Sequence, residues 1–497
     1  MTNTGKVVVK KIIQLVVPIA GAALLTTGCQ TYQQQNKVVV FWNQGNLTNA
    51  VVEATKQADE NAKNKDAIIW RLEQAAVLRA NGQYDDSNKA FDLAQEKIDD
   101  YAQKAKVRVG QEAGALLSNQ ANLDYEGRSY DGIMLNTYKA LNYLALGQPD
   151  KARPEIIHAY QRQQDAVEAN KREIEKTQAA AEKDKEKAKM DKAQQDPKFQ
   201  AQLQNTLTNI NDVKVYADYV NPFTVYLDAL YFMANAADAS DLERAHKSLE
   251  RVASFAEDND YVKQDLAALD GLMSTNSQPI PPMTYVIFET GCAPIRGQMR
   301  IDIPIIISRV SYVGAAFPTI KPQGNFQSTL TVAANGTNYN TKTVASVDSI
   351  VALDYKNEQP IVITKTIAAT ITKAVAAYAA NEAARQAGGD MAGLFAQIAT
   401  AAYEMAVNIA DTRTWTTLPK EFQVCRFPTP ADGVINLATP NGMKASLTLT
   451  PAAGGTKIDL TSTNVQATLN SGSAVNVVYV KSINASTPLL VNQFKLK

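Results

Sequence analysis

Two stretches of the chain repeat one arrangement of small and large residues around a single glycine. The first is IIWRLEQAAVLRANGQYDDSNKAFDLAQEKI at residues 68–98, and the second is YKALNYLALGQPDKARPEIIHAY at residues 138–160. Small residues let two antiparallel helices approach, large ones fill the groove between them, and Gly82 or Gly147 permits the turn. The pattern is typical of tetratricopeptide-like helix pairs. It predicts an α-solenoid over residues 41–275.

A stack of helix pairs has a concave groove that commonly holds a peptide or a partner helix. The groove could equally pack against the remainder of the same chain, and the repeats do not distinguish these two cases. Residues 171–198 interrupt the repeats with alternating charges at helical spacing and almost no apolar stripe. This segment predicts a solvated helical insert supported by pairs of opposite charges.

The composition changes near residues 275–283. Residues 1–278 hold 38 Asp and Glu against 33 Lys and Arg, whereas residues 279–497 hold 12 against 17. Neither part is basic enough to indicate nucleic-acid binding. We therefore expect a multidomain α+β protein, with the helical domain followed by a mixed β domain.

Runs rich in β-branched residues predict strands after this boundary. They are MTYVIFETG (283–291), QMRIDIPIII (298–307), STLTVAA (328–334) and SIVALDY (349–355). Apolar residues about four apart then predict an Ala-rich helical hairpin over 361–410, broken at Gly388 and Gly389. The second helix of this hairpin, after Gly389, is apolar enough that it could enter a membrane or form an oligomer interface. The polar Glu404 at mid-span favours a buried hairpin.

The strand-rich domain is expected to span residues 283–428, and residues 430–497 to form a C-terminal β module. Short apolar strands separated by Gly, Asn, Ser and Pro turns indicate this module. It could fold as a sandwich of its own or extend the preceding sheet.

Several polar residues of the second half stand out as candidate structural or interaction residues. Asp411, Arg413 and Trp415 lie close together in IADTRTWTTLP, and Glu289 with Arg296 offers a second charged pair. Charged pairs of this kind are more often structural locks than catalysts. A further candidate feature is a disulfide between Cys292 and Cys425, although each also fits a small buried apolar position.

The N-terminus has the layout of a secretory signal, with three lysines, a short apolar core and small residues before Cys29. It resembles a bacterial lipobox. The resemblance implies that residues 1–28 are removed, that Cys29 is lipidated, and that residues 29–40 form a tether. In such lipoproteins an Asp after the cysteine favours inner-membrane retention, so Gln30 implies the periplasmic face of the outer membrane.

The motifs IFETGCAPIR, RIDIPI, SYVGAAFP and ADTRTWTTLP, together with the helical repeats and the lipobox, resemble an uncharacterised family of bacterial tetratricopeptide-like lipoproteins. Members are often encoded beside small lipoproteins that resemble the curli-secretion channel protein and the activators of penicillin-binding proteins. The resemblance implies a role in envelope assembly or secretion in company with other envelope proteins. It assigns no chemistry to the motifs.

The sequence therefore favours a non-enzymatic scaffold on a lipid anchor, with oligomerisation left open. Only two histidines occur and no nucleotide or phosphate motif is present, so we expect no cofactor and no catalytic triad. One alternative is a carboxylate-dependent enzyme acting on peptidoglycan, with Glu289, Asp302 or Asp411. Another is a pore or export accessory that uses the segment 361–410.

Overall fold

The computed structural model describes residues 36–107, 120–211, 213, 215–216, 219–275, 282–307, 310–407, 409–448, 458–459 and 475–496. The leader 1–28 and the predicted lipidation site Cys29 lie outside these residues. The described chain is mixed α+β, with a helical N-terminal part followed by a strand-rich C-terminal part.

The N-terminal part consists of consecutive helices, several of which are joined by short turns. Gly45, Gly82 and Gly147 each have a positive φ, of 69°, 77° and 70°, and the latter two confirm the predicted turns. The helices are α1 (Val38–Asn43), α2 (Leu47–Glu60), α3 (Ala67–Ala80), α4 (Tyr84–Val107), α5 (Ser129–Ala145), α6 (Pro149–Glu182), α7 (Lys187–Gln195), α8 (Pro197–Asn211), α9 (Pro222–Ala234), α10 (Ala239–Phe255) and α11 (Asp260–Thr275).

The helices on either side of each turn pack against each other, α3 on α4 and α5 on α6. The small residues of the repeats are buried where these helices meet, as Ala75 and Ala94 show in the first pair and Ala140 and Ala152 in the second. Side chains of this size allow close approach of two helices, which is the reason the pattern was informative.

The predicted tether over residues 29–40 extends too far. Helix α1 begins at Val38 and buries Val38 and Trp42 in the core. Burial of these two apolar side chains stabilises a short helix in a stretch predicted to belong to the polar tether.

The strands form three sheets. The six-stranded sheet has the order β10-β12-β11-β1-β7-β6, the four-stranded sheet has the order β5-β4-β8-β9, and β2 pairs with β3 as a long hairpin. The strands are β1 (Met283–Thr290), β2 (Ile295–Ile307), β3 (Val310–Lys321), β4 (Thr331–Ala334), β5 (Thr337–Asn340), β6 (Lys342–Ser346), β7 (Glu421–Pro428), β8 (Val434–Ala438), β9 (Lys444–Thr448), β10 (Ile458–Asp459), β11 (Val475–Ser482) and β12 (Leu490–Lys495).

The described residues within 430–497 do not form a separate module. Strand β11 pairs in parallel with β1 and stands in the interior of the six-stranded sheet, while β8 pairs with β4. The second expectation, that the tail extends the preceding sheet, therefore agrees with the structure. The helices cover one face of β1 and β11 and the four-stranded sheet covers the other, so both faces are buried, which explains their largely apolar sequences.

The predicted hairpin over 361–410 is wrong. One helix, α12 (Val347–Val407), runs for 61 residues and continues through Gly388 and Gly389. The predicted strand SIVALDY (349–355) is the beginning of this helix. In helical form it places Asp354 and Glu358 one turn apart on one face. The side chain of Glu404 lies outside the described residues.

Among the described residues, the helical segment Val347–Ala379 contains an 18-residue stretch apolar enough to cross a membrane, and the mean hydropathy of that stretch is 1.3. Within the protein, 44% of its most apolar stretch is already buried. The same composition therefore also fits a core helix.

The charged insert 171–198 is helical as predicted, but it is not simply solvated. Its Ala180, Met190 and Ala193 are buried in an apolar cluster with Ile301 and Ile303 of β2. These few apolar side chains were too sparse in the sequence to form a recognisable stripe. They fix α6, α7 and α8 against the β2–β3 hairpin and α12.

One apolar core joins the helical part to the six-stranded sheet. Along β1 the side chains alternate: Tyr285 and Ile287 belong to the core shared with the helices, whereas Val286 and Phe288 face the four-stranded sheet. This alternation is the ordinary two-residue period of a strand. Side chains at 287 and 289 consequently point toward the helices.

Candidate functional site

Strands β1 and β11 place three polar side chains together on the face that meets the helices. In the parallel register Glu289 lies opposite Lys481, and Tyr479 is two residues before Lys481 on the same face. Lys481 Nζ and the Tyr479 hydroxyl both donate to the Glu289 carboxylate, which is 1% exposed. A buried carboxylate requires such donors, because an isolated charge in the core is costly.

Helices α3 and α5 complete this cluster. Tyr138 donates from its hydroxyl to Glu289 Oε1 at 2.8 Å. The Arg79 guanidinium lies over the rings of Tyr138 and Tyr479, 5.0 and 4.8 Å from their centroids. Asn142 on α5 accepts from Arg79 Nη1 at 2.7 Å and fixes its orientation. Cation–π contacts of this kind stabilise a desolvated guanidinium.

The cluster holds its carboxylate ionised. Burial by itself raises the pKa of Glu289, but the positive charges of Lys481 and Arg79 outweigh it, and the pKa is lowered. Burial raises the pKa of the Tyr138 and Tyr479 hydroxyls well above the ordinary value, and the nearby Glu289 adds to the shift. Both tyrosines are therefore neutral hydrogen-bond donors at physiological pH.

A cleft of about 270 Å³ opens beside this cluster, between the helical part and the six-stranded sheet. Arg79, Tyr84 and Tyr138 line one wall, and Glu289, Tyr479 and Lys481 line the other. We call these six side chains the cleft cluster. Asn46 and Thr48, at the N-terminus of α2, are exposed at the rim.

The predicted pair of Glu289 with Arg296 does not form. Arg296 is fully buried and pairs with Glu358 of α12 at 2.7 Å, with Asp354 at 3.5 Å. Arg128, ahead of α5, also pairs with Glu358, at 2.9 Å. Gly291 and Pro294 lie between Glu289 and Arg296 and turn the chain at the end of β1, so the two side chains enter different parts of the core.

The predicted contact between Asp411 and Arg413 is present. Arg413 Nε donates to Asp411 Oδ1 at 2.8 Å, and Arg413 Nη1 donates to Asp66 Oδ1 at 3.0 Å. Burial opposes ionisation of Asp411, but Arg413 and Arg128 outweigh it and lower its pKa. Arg413 therefore joins the segment after α12 to the residue before α3.

Trp415 is fully buried, and its indole N–H donates to Thr417 Oγ1 at 2.9 Å, as a buried indole requires. Its ring packs on Phe91 and Tyr138, each 5.9 Å away between centroids. Next to it, Glu73 of α3 accepts from the Thr416 backbone N–H at 2.7 Å and from the Thr417 hydroxyl at 2.7 Å.

Residues 410–418, which we call the buried segment, therefore run as irregular chain against the helical part. Residues 410 and 412–418 are buried. Side chains from α3, α4 and α5 hold the segment by hydrogen bonds and aromatic packing. The repeats left open whether the helices bind a partner or the remainder of the same chain. On this face of the helices, the chain itself is bound.

Cys292 and Cys425 are both free and buried, so the predicted disulfide is absent. Cys292 belongs to the core shared with the helices, whereas Cys425 faces the four-stranded sheet. The six-stranded sheet separates them. Burial raises the pKa of the Cys292 thiol, as it does that of Cys425, so neither is a ready nucleophile.

The carboxylates considered for glycan chemistry belong to separate surroundings. Glu289 is held by Lys481 and two tyrosines, Asp411 is held by Arg413, and Asp302 is half-exposed on β2 beside Arg300. In the described part of the chain, no group of three or more His, Cys, Asp or Glu side chains is placed to hold a metal ion.

The cleft cluster was missed from the sequence except for Glu289. Its members come from positions 79 to 481, and neither spacing nor motif relates them. A signal did exist in α3, where Glu73 and Arg79 interrupt a helix that is otherwise buried nearly throughout. Charged residues at core positions require partners, and here those partners belong to the C-terminal part.

No model of a known protein family matches the chain, and no curated protein or solved structure matches it either.

Proposed function

We propose that the protein is a lipid-anchored periplasmic scaffold that binds other envelope proteins. The observation that carries the proposal is the buried segment, an irregular stretch of chain that side chains of α3, α4 and α5 hold by hydrogen bonds and aromatic packing. It joins the helical part and the sheets into one body through Glu73, Arg413 and Trp415. A rigid body with several outer helical faces suits a scaffold.

The helix pairs are, in this proposal, tetratricopeptide-like. The positions of Gly82 and Gly147 and the buried small residues around them support this geometry. Because the buried segment already occupies part of the helical surface, partners would bind outer faces. Large apolar side chains are exposed there, with Val52 64% and Leu93 46% exposed.

The anchor and the location belong to the same proposal. The layout before Cys29 supports lipidation there, and Gln30 supports the outer membrane. The resemblance to tetratricopeptide-like lipoproteins supports a place in envelope assembly or secretion, with other envelope lipoproteins as partners. No observation favours the glycan enzyme or the pore over the scaffold.

Mass spectrometry of protein from native cells tests the anchor. We expect loss of residues 1–28 and a mass increase from acyl chains on Cys29. An unmodified thiol at Cys29, or a retained leader, would contradict the proposal.

Photo-crosslinking in intact cells tests the scaffold. A photoreactive amino acid is placed at Val52 or Leu93, and at the exposed Asn338 of the four-stranded sheet as the control. We expect both helical positions to yield the same envelope-protein adducts, and the Cys29→Ser variant to lose them. The proposal is contradicted if neither helical position yields adducts, or if the adducts persist in the Cys29→Ser variant. Deleting the helical part is unsuitable because the core is shared.

A further inference from the structure

The cleft beside Glu289 has the features of a binding site for a small ligand. Its volume of about 270 Å³ equals the space of about nine water molecules at ~30 Å³ each. Its rim reaches solvent at Asn46 and Thr48, so a ligand can enter without unfolding. Concave sites with apolar walls and a few convergent polar groups are typical of small-molecule binding.

The charges in the cleft do not cancel. Arg79 and Lys481 are cations, Glu289 is the one carboxylate that lines the cleft, and all three residues are at most 9% exposed. Lys481 contacts Glu289 directly. Among the residues that the structure describes, no carboxylate oxygen lies within 4.0 Å of the Arg79 guanidinium. The cleft therefore carries one surplus positive charge, located on Arg79.

A surplus charge in a buried position is unfavourable unless an opposite charge joins it. The ring contacts with Tyr138 and Tyr479 and the hydrogen bond to Asn142 orient the guanidinium but leave its charge uncompensated. The planar fork of a guanidinium matches the two oxygens of a carboxylate. A monoanion would balance the site, whereas a dianion would be repelled by Glu289.

Part of the remaining lining is apolar. The side chains of Leu47, Ile483 and Leu490 line the cleft beside the charged groups, and Leu490 lies directly opposite Lys481 in the pairing of β12 with β11. A ligand that fits must therefore combine one anionic group with an apolar body. We propose that the cleft binds a small organic monocarboxylate, with its carboxylate on Arg79 and its apolar part against these three side chains. This site is separate from the surfaces used in the scaffold proposal and does not depend on it.

Calorimetric titration of the full chain with benzoate tests the proposal, because benzoate has about nine non-hydrogen atoms and one negative charge. We expect saturable binding of benzoate with a Kd of about 1 mM or tighter. Benzamide, which has the same shape without the charge, should bind at least about tenfold more weakly. Phenyl phosphate, an aromatic dianion, should also bind more weakly than benzoate.

Two variants locate the site. Arg79→Gln removes the cation, and Leu490→Trp fills the apolar side while leaving every charge in place. Each should weaken benzoate binding at least about tenfold, whereas Arg300→Gln, at an exposed arginine of β2, should leave it unchanged.

The proposal fails if benzoate does not bind, if benzamide or phenyl phosphate binds as tightly as benzoate, or if Leu490→Trp binds like the wild type. Wild-type affinity of a folded Arg79→Gln variant would also overturn it. Circular dichroism checks folding. If Arg79→Gln does not fold, the three ligands on the wild type and the Leu490→Trp variant still decide the question.

Discussion

Glu73 is a carboxylate on the buried face of α3 that binds a segment 343 residues further along the chain. Its two oxygens accept hydrogen bonds from the Thr416 backbone and from the hydroxyls of Thr416 and Thr417. The residue is fully buried. These hydrogen bonds hold the buried segment. Replacing one carboxylate oxygen by an amide nitrogen should show how much they contribute to the free energy of unfolding.

The Glu73→Gln variant should be less stable than the wild type by about 1–3 kcal/mol. The amide retains one acceptor oxygen and directs an N–H group at the Thr417 hydroxyl, which already accepts from Trp415. Urea unfolding measures the change. The matched Glu60→Gln variant, at an exposed position of α2, should change stability by less than about 0.5 kcal/mol. Equal effects of the two substitutions would contradict this role.

Asp131 gives a prediction about pH. Burial raises its pKa from 3.8 to about 6, although the Arg128 backbone N–H and the Tyr125 hydroxyl donate to it. Between pH 4 and 6 the folded chain therefore keeps a proton that the unfolded chain has released. This residue makes the protein less stable as pH rises through that range, and the loss persists above pH 6.

The Asp131→Asn variant should remove this loss, because its amide oxygen accepts the same two hydrogen bonds without a charge. Relative to the wild type, we expect a gain in unfolding free energy that is about 1–3 kcal/mol larger at pH 8 than at pH 4. Urea titrations of both proteins at the two pH values measure the difference. The same difference at both pH values would show that Asp131 does not titrate as described.

Some of these residues could be predicted and others could not. Asp411, Arg413 and Trp415 are near one another in sequence, so local spacing indicated that they act together. Arg79 and Tyr479 meet only because β11 pairs with β1 and α3 packs on that sheet. No local pattern encodes such a meeting, so the sequence could mark Glu289 and Arg79 as unusual but could not show that they belong to one cluster.

At the level of elements, helix α12 marks the limit of pattern recognition. Its first residues are β-branched and apolar, which fits a buried helix as well as a strand. The decisive feature is the ion pairing of Asp354 and Glu358 with Arg296, which requires helical spacing and a partner 58 residues away. Paired glycines suggested a break at 388–389, but isolated glycines are tolerated inside a helix at a cost of about 1 kcal/mol each.

The continuity of α12 can be measured as a distance. Ala376 and Ala402 are 26 residues apart, so a continuous helix separates them by about 39 Å at 1.5 Å per residue. Spin labels on cysteines at these positions, in a Cys29→Ser chain, should give this separation by pulsed electron resonance. Buried Cys292 and Cys425 should remain unlabelled. A separation below about 20 Å would restore the hairpin.

At the level of the whole molecule, the helical part and the sheets share one core. Tyr285 and Ile287 of β1 pack with the helices, and β11 supports β1 from its position inside the sheet. The change of composition near residue 278 suggested two independent domains. A sequence shows where the type of element changes, but it does not show whether the apolar faces of those elements pack together. A shared core predicts that the two parts unfold together.

The Val480→Ala variant tests this cooperativity. Val480 lies in β11, is fully buried, and faces the four-stranded sheet rather than the helices. Loss of its two methyl groups should cost about 1–3 kcal/mol. If the protein unfolds as a single cooperative unit, the urea midpoint followed by the helix signal at 222 nm should fall by an amount that corresponds to this cost. It should do so although the substitution alters no helix. Val52→Ala, at an exposed position of α2, should leave the midpoint unchanged. Two resolved transitions, or a 222 nm midpoint that is the same in Val480→Ala and the wild type, would mean that the helices fold without the sheet.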